Sequence, residues 1–153
     1  MNFKDTVNHF SIDVPAGWKY GTPKAFTGLK FMAMRGPLKE GEIARDNFNI
    51  NITDKLPYQD LENNFAFMAK VISNVPNYKL LDKGDTIING QQFKWLIESH
   101  NNPLKLDLQL INYDFLTLKD GKGYVLTLVT FQSYFDTIKP MFDKIAGSFN
   151  LSY

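Results

Sequence analysis

The sequence predicts an α+β fold, an αβα sandwich in which an antiparallel sheet is flanked by two main helices. Three observations predict it. Apolar residues alternate with polar ones over several short runs, which is the period of half-buried strands. Two segments, 58–74 and the C-terminal 133–147, switch to helical spacing. Asn89-Gly90 and Asp120-Gly121 are hairpin turn pairs, and one run, 124–131, is apolar on both parities, as a central strand covered on two sides would be.

The chain has 153 residues, which fits a single domain spanning 1–153. Hydrophobic residues make up 44% of it, with 13 Phe and 7 Tyr, so a sheet-rich core can form without covalent staples.

In chain order, residues 9–14 form the first strand, with Phe10, Ile12 and Val14 opposed to His9, Ser11 and Asp13. Pro15-Ala16-Gly17 stops it, and Trp18 restarts the chain. A strand over 29–34 follows, ended by Gly36-Pro37. Residues 38–46 are a long polar surface loop. In the next strand Phe48, Ile50 and Ile52 alternate with Asn47, Asn49, Asn51 and Thr53. Asn is a poor strand former, so those positions are expected at an edge or facing solvent.

Leu61, Phe65, Met68 and Ile72 then make one stripe of a helix. Asp60 and Glu62 suit its positive end, and Pro76 ends it. Residues 78–88 read as a strand broken at Gly84, answered across Asn89-Gly90 by 92–99, with Phe93, Trp95 and Ile97 on one face. In the long strand 104–118, Leu104, Leu106, Leu108 and Leu110 give way to Ile111, Tyr113 and Phe115 on the other parity. Either a bulge lies near Leu110 or both faces are buried. Ser133 and Asp136 have capping-box spacing ahead of the Ile138, Met141, Phe142 and Ile145 stripe. Pro140 either kinks this helix or opens it, Gly147 reads as its C-terminal cap, and Phe149 and Leu151 pack back on the core.

The totals exclude much chemistry. No cysteine removes thiolate nucleophiles, iron–sulfur clusters and Cys-based zinc sites. A net charge of +1 gives no electrostatic reason to expect nucleic acid or an anionic membrane. No apolar run is long enough for a transmembrane segment.

The two histidines, His9 and His100, have no ligand or carboxylate partner at metal spacing and read as surface imidazoles. The 119–123 run has lysines and glycines but joins strands, so it is a hairpin and not a phosphate loop. Asp82, Gly84 and Asp85 lack the ligand run of a calcium loop. Trp18, Tyr20 and Trp95 read as core before ligand platform. No catalytic residue, cofactor or metal ligand is expected, and the chain reads as a non-enzyme.

Several short pieces, in order, carry a resemblance. The 10–18 run Phe-Ser-Ile-Asp-Val-Pro-Ala-Gly-Trp resembles the opening strand and Pro-Gly-Trp turn of PsbP-like domains. The Asn-rich strand 47–52, the hairpin at Ile88-Asn89-Gly90 and the closing Ile145-Ala146-Gly147-Ser148-Phe149 are similar to later parts of the same domains. The resemblance implies the αβα sandwich shared by PsbP, the Ran-binding import factor Mog and bacterial DcrB-like envelope lipoproteins. It carries no catalytic motif.

The expected function is therefore a non-enzymatic binding or accessory domain. The resemblance implies a bacterial cell-envelope lipoprotein or periplasmic protein if a leader precedes Met1, and a cytoplasmic one otherwise. The alternatives are a cytosolic chaperone or adaptor for a secreted or transported client, and a small-molecule binder. A protein partner is expected, with the chain a monomer or weak dimer. Candidate partner contacts are Arg35, Glu40, Glu42, Arg45 and Asp46 on and beside the polar loop, because function concentrates on loops held by rigid scaffolds.

Overall fold

The computed structural model describes residues 1–24, 28–37, 40 and 46–151. The chain runs β1 (Asn2–Asp5), β2 (Phe10–Asp13), β3 (Lys19–Gly21), β4 (Leu29–Met34), β5 (Asn47–Thr53), α1 (Leu61–Ile72), β6 (Lys79–Ile88), β7 (Gln91–Asn102), β8 (Lys105–Lys119), β9 (Lys122–Phe131) and α2 (Phe135–Gly147). Seven strands form one antiparallel sheet in the order β3-β4-β5-β9-β8-β7-β6, and β1 and β2 form a separate two-stranded sheet. The meander β6 to β9 is built from consecutive hairpins. Asn89 and Gly90, and Asp120 and Gly121, all have positive φ, as two-residue hairpin loops of this hand require.

One sheet face is closed by α2 and the β1–β2 hairpin. Phe31, Phe48, Ile50, Leu126, Leu128 and Phe93 lie fully buried there, joined by Phe10, Phe142 and Phe149. Their rings touch edge-on or tilted: Phe3 sits 4.4 Å from Phe31, and Phe10 6.0 Å from Phe149. Trp18 packs on Phe48 and Trp95 on Tyr113, so the two indoles belong to separate parts of this layer and form no joint platform. Asn150 pairs back to Ser11, which seats Phe149 and Leu151 in the core as expected.

Among the described residues, the other face is covered mainly by α1. Its Leu61, Phe65, Met68 and Ile72 stripe packs on Leu96, Leu116 and Val125. Asp60 caps the helix, accepting from the Asn63 amide at 2.8 Å.

Several local expectations are corrected. His9 is in the turn before β2 with a positive φ. The Asn-bearing strand β5 is internal, between β4 and β9, and its Asn side chains are half-buried, with Asn51 donating to Asn49. β6 is not broken at Gly84. A Cβ there would come within 2.7 Å of the Trp95 ring, so the glycine makes room for an indole. The irregularity of β8 is opposite Asn101 and Asn102 rather than near Leu110, and the strand is buried on both faces from Tyr113 to Thr117, the other of the two expectations. A 3₁₀ turn at Gln132–Tyr134 leads into α2, which has no side-chain cap at its start and keeps Pro140 inside it. Gly147 is its last residue and Ser148 the cap.

Candidate functional site

The α1 face carries a row of polar side chains inside the sheet. Strand residues two apart share a face. Glu98 and His100 therefore lie together on β7, and Asn112 and Asp114 on β8. The register sets Glu98 beside Asn112, and Asp114 beside Thr127 of β9. Glu98, His100 and Asp114 are all buried.

The contacts are specific. His100 Nδ1 is 2.9 Å from Glu98 Oε2, and the Thr127 hydroxyl donates to Asp114 Oδ1 at 2.6 Å. Asp114 Oδ2 and Asn112 Oδ1 are buried without a hydrogen-bond partner. Burial pushes the Asp114 carboxyl up to about 7; the Thr127 donor opposes this and the charge of Glu98 adds to it. Tyr78, just before β6, is pushed up by burial and then by Glu98 and Asp114. The cluster has the ingredients of acid–base chemistry, but neither Glu98 nor Asp114 is open to a substrate. Among the described residues, no group of three or more His, Asp or Glu side chains is placed to hold a metal ion.

Beside this cluster, α1 leaves two grooves. Toward β9 lies a cavity of about 250 Å³ walled by Leu56, Pro57, Phe67, Met68, Val71 and Leu116. Phe67 and Val71 are 45% and 52% exposed, unusual for such side chains on a packed helix, and Tyr58 lies edge-on to Phe67. Toward β6 lies a groove of about 560 Å³ bordered by Phe65, Ala66, Ala69, Leu80, Lys83 and Leu96. At its end Lys94 bridges Glu62 and Asp85, at 2.7 and 2.8 Å. A wider depression of about 660 Å³ lies beside β1, Lys24 and Leu29.

The residues expected to contact a partner are placed unevenly. Arg35 Nε is 2.8 Å from Asp46 Oδ2, and Asp46 also accepts from Thr130 at 2.6 Å. Asp46 is 1% exposed, so its carboxylate ties the loop base to the sheet and offers nothing to the surface. Glu40 is exposed, while Glu42 and Arg45 lie outside the described residues. His100 is corrected from a surface imidazole to a buried one, paired to the carboxylate two residues before it. That spacing was the available signal. It was masked because polar residues on one strand parity read as a solvent face.

No family model matches the chain, and no curated protein sequence matches it. Solved structures do. The chain is an antiparallel αβα sandwich of the PsbP and Mog type. It is 18% identical to cyanobacterial PsbP (CyanoP) from Synechocystis sp. PCC 6803, with a TM-score of 0.69 over 98% of this chain and 91% of that one. The Ran-binding protein Mog1p of Saccharomyces cerevisiae is 9% identical, with a TM-score of 0.68 over 99% and 94%. LpqN of Mycobacterium tuberculosis, involved in cell envelope biogenesis, is 15% identical, with a TM-score of 0.65 over 92% and 82%. At such identities the likeness establishes the fold. No helix among the described residues is long and apolar enough to cross a membrane.

Proposed function

We propose that the chain is a non-enzymatic binding module that grips an apolar segment of a protein partner along the α1 side of its sheet. The observation that carries this is the Phe67–Val71 groove. It is apolar, open, and framed by a helix already anchored on Leu96 and Leu116. Small-molecule sites usually exceed about 300 Å³ and converge several polar groups. This groove is smaller, and only Thr53, Lys55 and Asn64 bring polar groups to it.

Phe67→Asp is the test. It removes half-exposed apolar area without touching the core, so the variant stays folded. Captured partners and binding of an apolar fluorescent dye to the native protein should both fall at least tenfold. Undiminished capture by a folded Phe67→Asp protein sinks the reading. The polar loop with Glu40, Glu42 and Arg45 is a second proposed contact, tested by alanine substitution in the same capture assay.

The cell envelope is the proposed location, supported by likeness to LpqN. The same groove equally suits a cytosolic chaperone or adaptor holding an apolar client segment. Fractionation of the native source separates the two, since an envelope fraction favours the first and a cytosolic one the second.

A further inference from the structure

The two edges of the large sheet differ. β3 is three residues long, whereas β6 has ten residues and no strand on its outer side, although the Lys83 amide there donates to Asp82 Oδ1 at 2.8 Å and has to exchange that acceptor on pairing. Exposed edges invite another strand, and proteins usually blunt them with charge or a bulge. β6 has both, with Lys79, Asp82, Lys83 and Asp85 along it and Leu81 as the extra residue of a bulge. Yet it also keeps Leu80, Leu81 and Ile87 exposed, at 43%, 43% and 74%.

We propose that β6 is a self-pairing edge, and that two copies of this chain join antiparallel through it, with Gly84 on the two-fold axis. Beyond the Leu81 bulge, from Asp82 to Ile88, outward backbone groups alternate along the strand. In a symmetric antiparallel pair, facing residues must therefore have the same parity, and one residue faces its own copy.

Centring on Lys83 sets lysine against lysine, and centring on Asp82 or Asp85 sets aspartate against aspartate. Centring on Thr86 sets Asp85 against Ile87. Centring on Gly84 sets Lys83 against Asp85 twice and Asp82 against Thr86, and brings the bulge residue Leu81 next to Ile87 at each end. Only this last register puts opposite charges and exposed apolar groups together. Opposite charges facing across strands stabilise the pair and like charges oppose it.

Lys83 has room for this role. It borders the groove between α1 and β6, and Asp85, engaged with Lys94 through Oδ1, keeps a second carboxylate oxygen. The dimer would be a continuous sheet of two copies, and it leaves the Phe67 groove open, so the inference stands apart from the proposed function. One strand edge is a small interface by the standard of stable complexes. The association is therefore expected to be concentration-dependent.

Sedimentation of the full chain over a dilution series tests it. The wild type should pass from monomer to dimer. Lys83→Asp should shift the midpoint at least tenfold toward higher concentration, and the exchange Lys83→Asp with Asp85→Lys should bring it back. A wild type monomeric at every concentration overturns the proposal, as does a dimer that Lys83→Asp leaves unchanged.

The absence of cysteine supplies a second readout. Chains carrying Leu81→Cys and Ile87→Cys should cross-link when mixed under mild oxidation, since opposed residues come within disulfide reach. Neither should cross-link alone, because its own copy lies about six residues, or roughly 20 Å, along the pair. Equal cross-linking in the single-variant samples overturns the register.

Discussion

The two faces of the large sheet are built from the same strands and do different work. The α2 face is filled with aromatic rings and sealed by a helix, a hairpin and the returning C-terminal segment. Among the described residues, the α1 face is covered mainly by one helix of 12 residues. It hides a carboxylate–imidazole cluster and leaves grooves on both flanks of that helix. Stability is concentrated where coverage is complete, and exposed apolar surface remains where it is not.

Truncation gives the sharpest contrast. Phe48→Ala on the sealed face should destabilise by about 3–5 kcal/mol, since the ring is fully buried and its neighbours cannot collapse into the space. Leu116→Ala on the α1 face should cost about 2 kcal/mol, because its neighbours already border an open cavity and can relax. Denaturant unfolding measures both, and equal losses would erase the distinction.

The next effect is one of pH. The Asp114 carboxyl is raised from 3.8 to about 7 by burial, so between those values the folded chain binds a proton that the unfolded chain has released. Stability is therefore highest at the acid end of this window and falls as pH rises toward 7, by on the order of 4 kcal/mol. Asp114→Asn should flatten that slope and be more stable than wild type at pH 8, read from denaturant midpoints across pH. A variant with the wild-type slope would show that Asp114 is not the group responsible.

The smallest effect concerns α1 itself. Asp60→Ala removes the acceptor for the Asn63 amide and should fray the first helical turn, while Asp60→Asn preserves the cap. Amide hydrogen exchange in the first turn of α1 should quicken in the alanine variant only. No change in either variant would remove the cap from the account.

Much of this architecture was legible because its causes are local. β4 and β5 follow their alternation, α1 follows its stripe, and Asn89-Gly90 and Asp120-Gly121 mark their turns through backbone chemistry alone. What escaped has distant causes. β3 is short and exposed and exists because Lys19 to Gly21 pair with β4. Gly84 looked like a strand breaker because the Trp95 ring that needs its empty space comes from the neighbouring strand. The candidate site was hidden for the same reason. Glu98, Asp114 and Thr127 become one cluster only once three strands stand in register. The apolar groove depends on where α1 lands, which its own periodicity does not say.

The strand order also bears on how the chain reaches this shape. β6 to β9 can zip together one hairpin after another, each contact close in sequence. β5 joins β9 only after α1 and the other three strands of that meander have been made, and Ser11 meets Asn150 across nearly the whole chain. Contacts so far apart in sequence slow folding. The C-terminal meander is thus expected to be the early structure, and the docking of β5 against β9 the slow step that turns a meander into a sandwich.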